Sequence, residues 1–382
     1  MTAVDPGGLL ARARADETAY LSTLRELVEI ESPSADRTAA QRLADHLAAR
    51  LDEDGWSVER SPRGDVGDVL IGRTAGGDPA DASLILAHYD TVWPVGTLTE
   101  MPWRREGGRV HGPGVLDMKA GIATALHAVR LAEEAGGARG PVTLLLTSDE
   151  EIGSVRSRDV IETEAARHAR VLVVEPGRDD GALKVGRKGV GDPRVRIHGL
   201  SAHAGLAPEQ GASALRELAH LLLWAEDLTD PEAGTTVNLT LAGGGSAGNV
   251  VAEEAHGQLD VRVLRMDEAE RVERALRSYR PRDARVSVEI VGGMNRPPME
   301  PTAANRALAR EARASLEAMG LPYQEAVVGG GSDGNLTSAL GVATLDGLGA
   351  VGAGPHARHE HVRIAPTLER VALLAALLRG PA

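Results

Sequence analysis

Leu and Ala recur at three- and four-residue spacing over residues 17–30 and again over 38–52. That period predicts two amphipathic helices, joined by the polar loop Ser32-Pro33-Ser34. Leu84-Ile85-Leu86-Ala87 is apolar without a break and too short for a helix, so it reads as a buried strand ending at His88-Tyr89-Asp90. Helical spacing returns from Asp117 to Glu134, after the glycine-rich Gly112-Pro113-Gly114. Pro141 to Leu146 and Val171 to Val174 are two more buried strands. They end at Ser148-Asp149-Glu150-Glu151 and at Glu175-Pro176-Gly177. Strand, helix and strand in alternation predict an α/β layer on a largely parallel sheet. Ligands of such sheets bind beyond the carboxyl ends of the strands. The acidic and histidine residues stand just after the strands, so the order alone gathers them on one rim.

The pattern changes after about residue 180. Ala182 to Val190, Arg194 to His198, Thr235 to Leu241 and Gly257 to Leu264 alternate like half-exposed strands, and Val286 to Val291 adds another. Helices are expected from Ala212 to Leu228 and from Asp267 to Tyr279. This α+β order is close to a split βαβ, ferredoxin-like unit. Helical and short apolar segments resume from residue 302. The organisation expected is a catalytic domain in two parts, 1–179 and 295–382, around an inserted domain at 180–294.

Composition narrows the chemistry. The 382 residues leave room for two domains and a large core. With four Trp, four Tyr and no Phe, the core must be aliphatic and a base-stacking surface has little to work with. A net charge of −13 and no long Lys/Arg run argue against nucleic acid. Without cysteine, any metal must be held by His, Asp and Glu. The stretch Met1 to Gly8 lacks the charged start and apolar run of a secretory leader. The longest apolar block near the C-terminus, Val371 to Leu378, is too short to span a membrane. A cytoplasmic protein without a membrane partner is expected.

Five residues stand out as ligands: His88, Asp117, Glu151, Glu175 and His356. Nitrogen and oxygen donors of this kind suit zinc, with cobalt or manganese as alternatives. Two metals about 3.5–4 Å apart, bridged by a carboxylate, form a recurring catalytic arrangement. In an extended segment Asp90 points the same way as His88 and can take the ring N–H that is not on the metal. Of the adjacent pair Glu150-Glu151, one can bind metal while the other takes a proton from water. Each feature also has a plain reading: a solvated His–Asp pair, a charged turn, a helix cap at Asp117, a turn at Glu175. His356, His359 and His361 compete for one role, and His356 is preferred because glycines and Pro355 place it in a tight loop.

Together the motifs Ala87-His88-Tyr89-Asp90-Thr91-Val92, Gly112 to Gly121, Ser148 to Ser154, Val173-Val174-Glu175-Pro176 and Gly354-Pro355-His356 resemble a known family. It is the di-zinc metallopeptidase family of glutamate carboxypeptidase, aminoacylase and succinyl-diaminopimelate desuccinylase. The segments Ala202 to Gly211, Gly248 to Val251, Asp260-Val261-Arg262 and Gly329 to Asp333 are most similar to the folate-cleaving glutamate carboxypeptidase type. The resemblance implies two Zn2+ per subunit, one on His88 and Glu175, the other on Glu151 and His356, with Asp117 bridging. It implies Glu150 as general base, Asp90 as the partner orienting His88, and His203 as an oxyanion donor, in family members usually from the opposite subunit. Arg262, Asn249, Lys184 and Arg296 are implied to hold the substrate carboxylate or adjacent groups. The glycines Gly330 and Gly331 would let backbone approach the substrate closely. The inserted domain is implied to be a lid and a homodimer interface. Two departures stand out: Pro355 precedes the last ligand, and Ala202 stands where Ser is commoner.

The function expected is a zinc-dependent hydrolase that releases a C-terminal amino acid from a small molecule or peptide with a free carboxylate. An N-acyl-amino-acid deacylase is the near alternative, because both reactions cut an amide beside a carboxylate. A non-catalytic binding protein on a peptidase fold is the alternative of another class, and the retained Glu150 argues against it.

Overall fold

The structure, a computed structural model, describes residues 5–380. The first four residues of the stretch read for a leader lie outside that range. The chain divides into two compact units, one of residues 1–186, 301–327 and 332–382, the other of 187–300 and 328–331. The sequence reading placed the insertion at 180–294.

The larger unit is built on a six-stranded sheet. Its strand order is Ser57–Ser61, Val69–Arg73, Val142–Thr147, Ser83–His88, Arg170–Val173 and Ala343–Leu345. The first two ladders are antiparallel and the other three parallel. The sheet is therefore mixed and largely parallel. The strands Ser83–His88, Val142–Thr147 and Arg170–Val173 are buried at every position, as unbroken apolar runs require. Ser57–Ser61 escaped the pattern reading because it is an exposed edge without apolar alternation. The helix Ile364–Arg379 buries the Val371 to Leu378 block and packs beside the helix Ala120–Glu134. The first two expected helices form over Glu17–Glu29 and Arg37–Glu53.

The expected helix from Asp117 starts later, at Ala120. Residues Val115–Lys119 form an irregular turn, with Asp117 at φ −115° and ψ 97° and a cis peptide to Met118. No side chain caps the helix. Lys119 holds the N-cap position, so Asp117 is not spent as a cap.

The expected strand Ala182 to Val190 is two strands, Leu183–Arg187 and Gly189–Gly191. In the smaller unit the elements Arg194–His198, Ala214–Glu226, Thr236–Gly244, Glu254–Val263, Met266–Ser278 and Ser287–Val291 follow in the order βαββαβ. The fourth strand pairs with the first, the first with the third and the third with the second, all antiparallel. That is the ferredoxin-like topology. Val195, Ile197, Leu218, Leu221, Leu259, Val261 and Val272 form its own aliphatic core. Thr236–Gly244 is an edge, bonded on one side only among the described strands.

Candidate metal centre

All five expected ligands belong to the larger unit, and the fold brings them together. His88 closes the central strand Ser83–His88, and Glu175 follows the neighbouring strand Arg170–Val173. Glu150 and Glu151 follow Val142–Thr147. Asp117 sits in the irregular turn and His356 in the loop Gly354-Pro355-His356, at φ 59°. The Nε2 atom of His88 lies 3.2 Å from Oδ1 of Asp117 and 3.4 Å from Oε1 of Glu175. On the other side, Nε2 of His356 lies 3.4 Å from Oδ2 of Asp117 and 3.1 Å from Glu151. One carboxylate therefore stands between two imidazole–carboxylate pairs.

The rings of the competing histidines turn elsewhere. His359 packs against Gly354, where an added Cβ would lie 2.8 Å from the imidazole. His361 bonds through Nδ1 to the His359 carbonyl and stacks on His111 at 5.4 Å. His356 alone of the three reaches the carboxylates.

Asp90 anchors the cluster from below. It is fully buried, and Oδ1 lies 3.3 Å from Nδ1 of His88. Its carboxylate also accepts the Ser34 hydroxyl at 2.6 Å and the backbone N–H groups of Glu150 and Glu151 at 3.3 and 3.2 Å. One side chain thus fixes His88, Glu150 and Glu151 together.

The electrostatics favour a cation. Burial opposes protonation of His88, yet its bonds to Asp117, Asp90 and Glu175 outweigh it and hold its pKa well above the usual value. Asp117 and Glu151 push His356 up to about 10. Burial would raise Asp117, but the two imidazoles hold it well below the carboxylate range. A site that draws protons onto two imidazoles draws a divalent metal in their place. The donor set fits a pair: ligand atoms of His88, Asp117 and Glu151 lie within 4.8 Å of one another, as do those of His88, Glu150 and Glu175.

Residues 84–380 match the model of peptidase family M20/M25/M40. The chain belongs to that family. Carboxypeptidase G2 of Pseudomonas sp. is 32% identical over 97% of this chain and 91% of its own length. Succinyl-diaminopimelate desuccinylase of Alkalilimnicola ehrlichii is 31% identical over 85% of this chain and 90% of its own. A solved tripeptidase of Staphylococcus aureus shares the fold with a TM-score of 0.80 and 22% identity, over 95% of this chain and 98% of its own. This M20 chain is a hydrolase of amide or peptide bonds.

The expected substrate residues are distributed between the units. Lys184, in the larger unit, is bonded through its backbone to Asp346. The others lie in the smaller unit. His203 accepts the backbone N–H groups of Gly205 and Leu206 on Nδ1, at 3.1 and 3.2 Å. Asn249 accepts the Ala204 N–H at its carbonyl. Arg262 forks onto Asp260 and reaches the Gly329 carbonyl at 3.5 Å. Arg296 is buried beside Gly331, whose missing Cβ would lie 2.7 Å from Val190. Gly330 and Gly331 offer their carbonyls to Arg187, both at 3.2 Å.

Sequence reasoning missed Glu360. This buried carboxylate accepts Leu116 N–H at 2.8 Å and Asp117 N–H at 3.1 Å on Oε1. Its Oε2 accepts Gly114 N–H at 3.1 Å and the Trp93 indole at 2.9 Å. Burial pushes its pKa up to about 7, against the donors that hold it down. Four N–H donors leave no acceptor for a carboxyl proton, so the ionised form fits. Its place between two histidines was the only signal, and it drew the reading to the histidines.

Proposed function

We propose that this M20 hydrolase is a two-zinc carboxypeptidase-like enzyme that releases a C-terminal amino acid, with Co2+ or Mn2+ as substitutes. The placement of Asp117 between the His88–Glu175 and His356–Glu151 pairs carries the reading. Bound zinc would supply a lowered pKa for water and positive charge near the developing oxyanion.

The chain's own groups account for the rest. Glu150 takes a proton from the attacking water as its oxygen bonds to the amide carbon. The C–N bond then breaks, and Glu150 returns that proton to the leaving nitrogen. The products are a carboxylate and an amine. With Nδ1 of His203 engaged by two backbone N–H donors, its proton belongs on Nε2, where it can donate to the oxyanion. Arg262, Asn249, Lys184 and Arg296 are assigned to the substrate carboxylate, which suits a forked guanidinium. Gly330 and Gly331 are assigned to the close backbone approach.

A homodimer through the smaller unit is part of the proposal, since Thr236–Gly244 offers an unpaired edge with Leu241 exposed. So is a cytoplasmic location. No helix among the described residues is long and apolar enough to cross a membrane. The desuccinylase likeness supports the second reading, an N-acyl-amino-acid deacylase.

The test is hydrolysis of N-acyl amino acids, N-aroyl glutamates and dipeptides by zinc-loaded protein, with metal content measured in parallel. Glu150→Gln should retain its metals and lose about 10²–10⁴-fold in rate, the usual worth of a general base. A variant as active as wild type would remove Glu150 from the mechanism.

A further inference from the structure

Beside the ligand cluster, the larger unit carries a cavity of about 430 Å³. Pro33, Val92, Pro94, Val95 and Ile152 form its apolar wall, and Glu151 lies in the same lining. The carboxylate of Glu151 is also 3.1 Å from His356. The cavity and the metal centre thus share Glu151, and the cavity's size is that of a small-molecule site.

Three features of the cavity favour an uncharged, apolar occupant. Val92, Val95 and Ile152 are 43%, 52% and 56% exposed, a cluster of large aliphatic side chains left against water. The charged groups in the lining are Asp36 and Glu151, both acidic, and it includes no Lys, Arg or His. An acidic group entering there would meet the Asp36 carboxylate, while the nearby imidazole of His356 is already paired with Glu151 and Asp117. The wall is also held in shape. Glu31 accepts the N–H groups of Gly96 and Leu98 at 2.7 and 2.8 Å, Trp93 is tied to Glu360, and Ser32 accepts the Thr91 N–H at 2.9 Å. A preformed backbone wall lowers the ordering cost of binding.

We infer that this cavity takes the acyl half of the scissile amide, and that Val92, Val95 and Ile152 select a neutral, apolar acyl group over a succinyl or acetyl one. The inference rests on the amide-hydrolase reading, which gives the free carboxylate to other residues and leaves the acyl half to be placed. It deepens that reading, because it separates an enzyme for aroyl or bulky acyl groups from a desuccinylase.

The experiment compares N-benzoyl-, N-acetyl- and N-succinyl-glutamate by kcat/KM on zinc-loaded wild type, Val95→Arg and Ile152→Arg. Both positions are exposed, so the variants should fold, and a thermal melt checks this. Wild type should prefer benzoyl by about tenfold or more over either other group, the scale of discrimination an apolar pocket gives. Relative to acetyl, the arginine variants should lose about tenfold on benzoyl and gain on succinyl. Equal rates on the three substrates, a succinyl preference, or variants that scale all three alike would overturn the pocket while the amidase stands. Zinc-loaded Glu150→Gln, titrated calorimetrically with the same compounds, separates the remaining case. Binding of none of them, with no turnover by wild type, would overturn the amidase reading and the pocket with it.

Discussion

A carboxylate surrounded only by N–H donors works as a clamp, and Glu360 is such a clamp on the loop that carries Asp117. In Glu360→Gln one oxygen keeps its two donors, while the new NH2 faces the other two N–H groups. Each buried donor left unpaired costs about 1–3 kcal/mol, so for two donors a loss of roughly 2–6 kcal/mol in stability is expected. Asp117 loses its fixed orientation as well, and mutations of such supporting groups weaken metal binding about 10–100-fold. Chelator competition on the folded variant reads that number, and an unchanged zinc affinity would leave Glu360 a purely structural residue. The same contrast explains what could be read at this scale without coordinates. His88, Asp117, Glu151 and Glu175 each follow a strand or a glycine-rich turn and sit in short recognisable strings. Glu360 and Ser34 act across 243 and 56 residues of chain, on Asp117 and Asp90, and no local string records that. The glycines and Pro355 before His356 are the local signal for preferring it, and the structure adds a left-handed backbone there and a ring 3.1 Å from Glu151.

Elements deliver these residues through close packing, and glycine sets the approach. An added Cβ on Gly121, in the first turn of the helix Ala120–Glu134, would lie 2.0 Å from the carbonyl oxygen of Val174. In an open helix Gly→Ala gains about 1 kcal/mol. Here the overlap is with backbone, so helix and strand end must part, at the roughly 1–3 kcal/mol typical of overpacking. Gly121→Ala should therefore destabilise on balance, and zinc affinity should fall because Glu175 follows Val174 directly. Urea denaturation and a metal titration test both parts, and a raised midpoint would contradict the argument. Legibility at this scale follows burial. The runs 84–87, 141–146 and 171–174 were read as strands because apolar side chains cover both faces. The edge Ser57–Ser61 carries no such period, and the irregular turn at Val115–Lys119 was hidden inside a helical pattern that its neighbours continue.

For the whole molecule, the buried imidazole of His127 links stability to pH through partners that are not metal ligands. Its Nδ1 lies 2.8 Å from Asp16 and 3.1 Å from the Arg130 guanidinium, its Nε2 lies 3.0 Å from Thr23, and Tyr20 packs edge-on at 5.4 Å. Burial lowers its pKa, Asp16 opposes that, and Arg130 and Arg50 add to it. The folded state therefore binds the proton less readily than the unfolded chain, whose imidazole titrates near 6.5. Above about 6.5 both states hold a neutral ring and the full stability is present. As pH falls below that, the unfolded chain takes its proton first, and stability declines until the folded-state value is passed. A His127→Asn variant removes this dependence while keeping every metal ligand, so acid effects at the ligand cluster cancel between the two proteins. The stability advantage of wild type over the variant should shrink between pH 7 and pH 5, as measured by urea denaturation of both at matched ionic strength. A gap that stays constant or widens would mean that Asp16 holds the proton on His127 in the folded state, and that burial does not decide its charge.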